Sequence, residues 1–165
     1  EDVKSIECCG GIIMKKIILL PAVLLALVFL LTAVSANAAT PLEGLWLTQN
    51  ERSVIRIEEC EQGLCGYIHW IIEGGMQTDS KNPDPSMRDR PMCGMPILWG
   101  MSETSGTEWE NGKIYKADDG DIYDADLTLQ PDDTLKVRGY RGITLFGKTQ
   151  IWNRVKAENY PACTK

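Results

Sequence analysis

"SVIRIEECEQGLCGYIHWII", residues 53–72, consists of two alternating runs joined by a short polar loop. Setting Cys60 opposite Cys65 across residues 61–64 places Ile57 against Ile68, Ile55 against Trp70 and Ser53 against Ile72. One face then carries nearly all the large apolar side chains. The other carries Glu58 with Tyr67 and Arg56 with His69. Side chains on a strand alternate with a period of two, so a slip of one residue would scramble this separation, and the pattern specifies an antiparallel hairpin and its register. Opposed residues at a non-hydrogen-bonded site come near disulfide distance. Cys60–Cys65 is therefore the expected bridge, a clamp on the outer face of the hairpin. Cys65–Cys93 is the competing pairing, and Cys163 goes either to Cys93 or to an unpaired tail.

The same grammar continues downstream. Residues 96–102 alternate Ile97, Trp99 and Met101. Residues 107–117 contain Asn111-Gly112, and Asp119-Gly120 follows; both are hairpin-turn dipeptides. Tyr123, Ala125, Leu127 and Leu129 share one face of the next run, with Asp124, Asp126 and Thr128 on the other. Pro131-Asp132-Asp133 turns the chain into residues 134–140, and Arg141-Gly142 leads into a last strand over 143–155. No long helical period occurs after Ala39. Short strands at regular spacing predict an all-β antiparallel meander of eight or nine strands.

Upstream of this lies Met14-Lys15-Lys16, then an apolar run from Ile17 to Val34, then Ala36-Asn37-Ala38. A basic start, an apolar core and small residues at an A-x-A site make a secretory signal over 14–38, cut after Ala38. Residues 1–13 read as upstream sequence, and 39–165 as one domain, long enough for a real core. No cysteine follows the apolar run to take a lipid. Export makes disulfides the default for Cys60, Cys65, Cys93 and Cys163, and the expected location is the periplasm or the cell exterior.

Residues 39–165 carry 14 basic and 20 acidic side chains. That balance disfavours nucleic acid, which requires a basic footprint, and no polybasic run or basic amphipathic helix marks a membrane surface. A C-x4-C pair with one histidine in the domain is poor zinc spacing, and the acids Asp118 to Asp126 lack the order of a calcium loop. No metal or cofactor is expected. His69 has neither a nucleophile nor an orienting carboxylate beside it in the pattern, and no G-x-S-x-G occurs, so no catalytic set is read.

One segment breaks the meander. Residues 73–92 run 20 positions without a strand pattern, and such loops in small domains are usually functional or mobile. Pro83, Pro85 and Pro91 stiffen it, and Asp84 can cap a helical turn that starts at Pro85. Asp79, Asn82, Arg88 and Arg90 cluster there. Two roles compete: an Asp79–Arg88 pair that pins the loop over a barrel end, or Arg88 gripping an anion at the mouth.

These stretches together resemble a bacterial exported family, DUF2147, across essentially the whole domain. The resemblance is carried by Gly44-Leu45-Trp46, by "CEQGLCGYIHW" (60–70), by "DSKNPDPSMRDRPMCGMPILWG" (79–100) and by "LKVRGYRGITLFGKTQIWNR" (135–154). It implies a lipocalin-like (calycin) up-and-down β-barrel and carries no activity with it. It also implies that Gly44-x-Trp46 plugs one barrel end, with Arg154 lying across the indole as a cation–π partner. In a closed barrel the first and last strands adjoin, which would bring the two together. Unlike true lipocalins, the chain has its long excursion at 73–92 and not between the first two strands, so any lid must come from there.

Barrels of this size either fill their centre or hold one small ligand. The expected occupant is a small apolar or amphipathic molecule lined by Trp70, Trp99, Tyr123 and Tyr140, with Asp79, Asn82 and Arg88 at the gate. The alternative is a packed barrel that serves as an interaction module of the envelope. An enzyme of unknown reaction is the third reading.

Overall fold

Ile55 and Ile57 point inward from one strand and meet Ile68 and Gly66 on the next, and this inner face repeats around a closed ring. The computed structural model describes residues 40–164; the expected signal segment and the residues before it lie outside that range. Among the described residues no helix is long and apolar enough to cross a membrane.

The ring has eight strands: β1 Gly44–Leu47, β2 Ser53–Cys60, β3 Gly63–Ile71, β4 Pro96–Ser105, β5 Glu108–Lys116, β6 Asp121–Leu129, β7 Thr134–Tyr140 and β8 Lys148–Val155. Each pairs antiparallel with its sequence neighbour, and β1 closes on β8 with Trp46 opposite Arg154. The fold is thus an up-and-down barrel without a free edge. One end is filled by Leu42, Trp46, Leu127, Leu135 and their neighbours, all at most 1% exposed.

Alternation predicts the strands well and the faces less well. The β2–β3 turn is tighter than expected: Cys60 lies opposite Gly63, and Cys65 opposite Glu58. The register is displaced by two, an even number, so each side chain keeps its face. Cys60 and Cys65 bond diagonally across the strands, with Cα atoms 5.9 Å apart. Gly63 makes the tight turn possible: at φ +97°, any Cβ there would sit 2.2 Å from the Met101 carbonyl oxygen.

Three bulges redirect side chains. Between Ile55–Ile68 and Val54–Trp70 the chain of β3 carries one extra residue, His69. This flips Trp70 to the outer face, where it meets Tyr160 edge-on at 5.1 Å. In β4, Leu98 and Met101 both enter the core although three apart, because Gly100 at φ +73° breaks the alternation; Trp99 is left outside, opposite Lys113. Asn111-Gly112 is not a turn. Asn111, at φ 62°, is the extra residue of a bulge within β5, and the β4–β5 turn lies earlier, at residues 106–107. Asn111 adopts the left-handed conformation that a turn needs, and a bulge needs the same. The expected strand over 143–155 begins only at Lys148, after a 3-10 turn Thr144–Phe146.

The second disulfide joins Cys93 to Cys163, with Cα atoms 5.8 Å apart. It ties the C-terminal tail across β3, where the Cys163 amide donates to the His69 carbonyl at 2.8 Å.

Candidate functional site

The end opposite Trp46 is open. Loops β1–β2, β3–β4, β5–β6 and β7–β8 surround it, and below them lies a cavity of about 410 Å³. Its wall is apolar: Ile68, Ile71, Met92, Ile97, Ile114, Val137 and Trp152. Gly139 also lines it, and a Cβ there would meet Ile114 at an ordinary contact distance of 3.7 Å.

The mouth is charged. Arg52 pairs with Asp118 at 3.2 Å, Arg141 with Asp121 at 2.7 Å, and Lys116 with Asp119. Burial alone would raise Asp119, but Lys116 and the Asp121 amide outweigh it, and the carboxyl titrates below its ordinary range. The bond to Asp119 raises Lys116, and the bond to Asp121 raises Arg141. Tyr123 stands inside this ring; its hydroxyl donates to Asp119 at 3.2 Å and Arg141 lies 4.6 Å over its face.

Of the expected lining residues, Tyr123 faces the cavity. Tyr140 reaches only its rim: the side chain crosses to the outer face, where its hydroxyl donates to Asp126 at 3.2 Å. Trp70 and Trp99 do not line the cavity, because the bulges at His69 and Gly100 turn them out. The tryptophan that does is Trp152, opposite Leu135 and bonded through its indole nitrogen to Gln150 at 2.9 Å. Counting two residues back from Arg154 would have put Trp152 on the same inner face as Trp46.

The excursion after β3 folds back on itself, with Thr78 bridged to Pro91. The expected helical turn after Asp84 is present as a 3-10 turn over Pro85–Met87, capped by Asp84. The pinning pair is corrected: Asp79 bonds Arg90, at 2.7 Å, while Arg88 donates to the Asn82 carbonyl at 2.8 Å. Asp79 has no exposure and also accepts from the Tyr115 hydroxyl at 2.6 Å and the Asn82 amide at 2.7 Å. Burial would raise the Asp79 carboxyl, yet these three donors together hold it below the ordinary range. Burial and the neighbouring carboxylate push Tyr115 up to about 12. Near neutral pH one group stays charged and the other stays protonated, so the pair fastens the excursion to β5 and is not poised to exchange a proton.

Under the excursion runs an outer groove of about 680 Å³, edged by Tyr67, Trp99, Tyr115, Pro83 and the Cys60–Cys65 bridge. His69 lies away from the cavity, with Nε2 at 3.0 Å from the Tyr160 carbonyl oxygen.

The family model described as an uncharacterized protein conserved in bacteria (DUF2147) matches residues 44–154. The match runs from Gly44 to Arg154, the two sides of the barrel seam. A solved structure described as protein HP1028 from the human pathogen Helicobacter pylori, belonging to the lipocalin family, resembles this chain with a TM-score of 0.67 and 22% identity, over 75% of this chain and 91% of that one. At that identity the likeness is one of fold. Among curated proteins, none matches.

Proposed function

This chain belongs to the DUF2147 family of bacterial proteins, and from that premise we propose that its lipocalin-like barrel carries a small apolar or amphipathic molecule outside the cytoplasm. The observation that carries the reading is the cavity: about 410 Å³, apolar within and ringed by ion pairs at its mouth. That volume falls in the usual range for small-molecule sites. An apolar body would rest against Ile114, Val137 and Trp152, with a polar end among Arg52, Lys116 and Arg141. Two disulfides in the described domain suit an oxidising compartment.

In this reading Asp79, Asn82 and Arg88 hold the excursion in place and do not gate the mouth. Asp79 and Asn82 are engaged in fastening the excursion, so the loop is a fixed wall. The alternative, an interaction module without an internal ligand, draws its support from the outer groove beside Trp99. A barrel built only for that role has no need of a hollow centre, and this favours carriage.

The test is native mass spectrometry of the purified protein incubated with bacterial lipid extract, followed by identification of any adduct. A stoichiometric adduct of a few hundred daltons is expected on the scale of such pockets. Protein that stays free of adducts across lipid, sterol and fatty-acid pools would sink the carriage reading.

A further inference from the structure

The β7–β8 connection exposes what the rest of the molecule hides. Ile143, Leu145 and Phe146 are 58%, 76% and 79% exposed, the largest apolar exposures among the described residues. They sit within four residues at one loop tip, and Phe146 also lines the mouth of the cavity. Scattered surface apolar residues are ordinary, but a cluster on one tip marks an interaction site.

The tip is braced in this outward form. Arg138 reaches under it, donating through Nε to the Thr144 carbonyl at 3.1 Å and through Nη1 to the Thr149 hydroxyl at 2.9 Å. The 3-10 turn Thr144–Phe146 closes with the Gly147 amide on the Thr144 carbonyl at 3.0 Å. Apolar side chains held away from the core by a fixed turn are placed for something outside it.

Charge says what. The domain is acidic overall, yet no acid occurs between Thr134 and Ala157, while Arg138, Arg141 and Lys148 flank the tip. Lys148 makes no ion pair among the described residues, and Arg141 has one partner, Asp121. Of the acids near the tip, Asp118, Asp119, Asp121 and Asp124 are each already paired with a cation, and Asp126 accepts from the Tyr140 hydroxyl. An apolar tip with basic flanks fits an interface of acyl chains beneath anionic headgroups.

We propose that the β7–β8 tip docks on an anionic lipid surface, inserting Leu145 and Phe146 and setting the cavity mouth against the membrane. Docking stands on this surface alone; loading the cavity from the lipid rests on the carriage reading above. The occupant is a bilayer and not a protein, because a tip this narrow offers a partner protein far less area than a stable interface buries.

The experiment is co-sedimentation of the full chain with vesicles of phosphatidylglycerol and phosphatidylcholine in equal parts, and with phosphatidylcholine alone. Sedimentation with the anionic vesicles, weakened by salt, is expected. The double variant I143S/L145S, which leaves the cavity lining intact, should lower partitioning roughly tenfold or more. K148E should weaken binding to the anionic vesicles and leave the neutral ones unchanged. Wild-type protein that stays in solution with anionic vesicles overturns the proposal, as does a double variant that sediments equally. Self-association that the double variant abolishes, without vesicle binding, would assign the tip to a second copy and also overturn it. Uptake of a soluble fluorescent apolar probe, measured without vesicles, separates the two ideas. Sedimentation without uptake keeps docking and rejects carriage; uptake without sedimentation does the reverse.

Discussion

Arg154 lies over Trp46 with its guanidinium carbon 4.1 Å from the ring centroid, and the same side chain closes the seam around it. Nη1 donates to the Glu43 carbonyl at 2.8 Å, Nη2 to the Pro41 carbonyl at 2.7 Å, and Nε to Asp133 at 2.8 Å. The indole in turn donates to the Leu42 carbonyl at 2.9 Å. One residue of β8 therefore holds the entry segment, the first strand and the β6–β7 turn. Replacing it with Ala should cost about 2–4 kcal/mol, from a cation–π contact and two carbonyl bonds. Arg154→Lys should recover only part of that, since an ammonium cannot serve three directions in a plane. Urea denaturation measures both; equal stability of all three proteins would reject this account of the seam.

Gly44 tests the same seam from the other side. Its φ is +134°, and a Cβ there would stand 2.8 Å from the Arg154 Nη1. Gly44→Ala should destabilise by about 1–3 kcal/mol, combining backbone strain with displacement of the guanidinium. In the Arg154→Ala background the loss should shrink, which a double-mutant cycle reads directly.

Gly139 offers a way to fill the cavity without strain. Its Cβ would meet nothing closer than 3.7 Å. Gly139→Phe should fold normally, as judged by circular dichroism and thermal unfolding, and should lose at least about tenfold in affinity for any internal ligand. Retained affinity in a folded variant would mean the ligand binds elsewhere, with the outer groove as the next place to look.

The Asp79–Tyr115 pair gives stability two pH limits. The Asp79 carboxyl is depressed, so its contribution is present above about 4, the ordinary value, and is lost as pH falls through the folded one. Tyr115 is raised from 10.0 to about 12, so its contribution is full below 10 and is lost as pH climbs toward 12. Two units correspond to roughly 2–3 kcal/mol. Chemical denaturation between pH 9 and 12 should show this decline in the wild type and a flatter profile in Tyr115→Phe. A wild-type profile as flat as the variant's would show that the tyrosine is not under this constraint.

Cys93–Cys163 closes a long stretch of chain, with a sequence separation of 70. The chain-entropy model assigns such a loop about 4 kcal/mol, against about 2 for the short Cys60–Cys65 loop. The double variant C93S/C163S should therefore lose more stability than C60S/C65S, and should expose Trp70 as the tail leaves it. Tryptophan emission and unfolding midpoints together check the order.

What the sequence disclosed follows from locality. The β2–β3 hairpin, the Cys60–Cys65 bridge and the turns at Asp119-Gly120 and Pro131–Asp133 rest on neighbouring residues, and each is present. The seam between Gly44, Trp46 and Arg154 became readable through the family resemblance, because no local pattern links positions so far apart. The faces of Trp70 and Trp99 were hidden for a different reason. A one-residue bulge leaves the alternating pattern on either side of it intact while reversing what points inward. Asn111-Gly112 shows the same ambiguity, since a left-handed residue followed by glycine serves a turn and a bulge alike. Choosing between Arg88 and Arg90 for Asp79 depended on the path of an irregular loop, which composition does not encode.

The pairing of β1 with β8 fixes a moment in the life of each molecule. Until the ribosome has released residues near Arg154, strand β1 has no second neighbour and the ring cannot shut, so two raw borders wait for each other over more than a hundred positions. Pairings that distant form slowly. A nascent chain is thereby kept pliable until β8 is available, and a copy cut short before Lys148 would keep its sticky borders for good, available to any strand it meets.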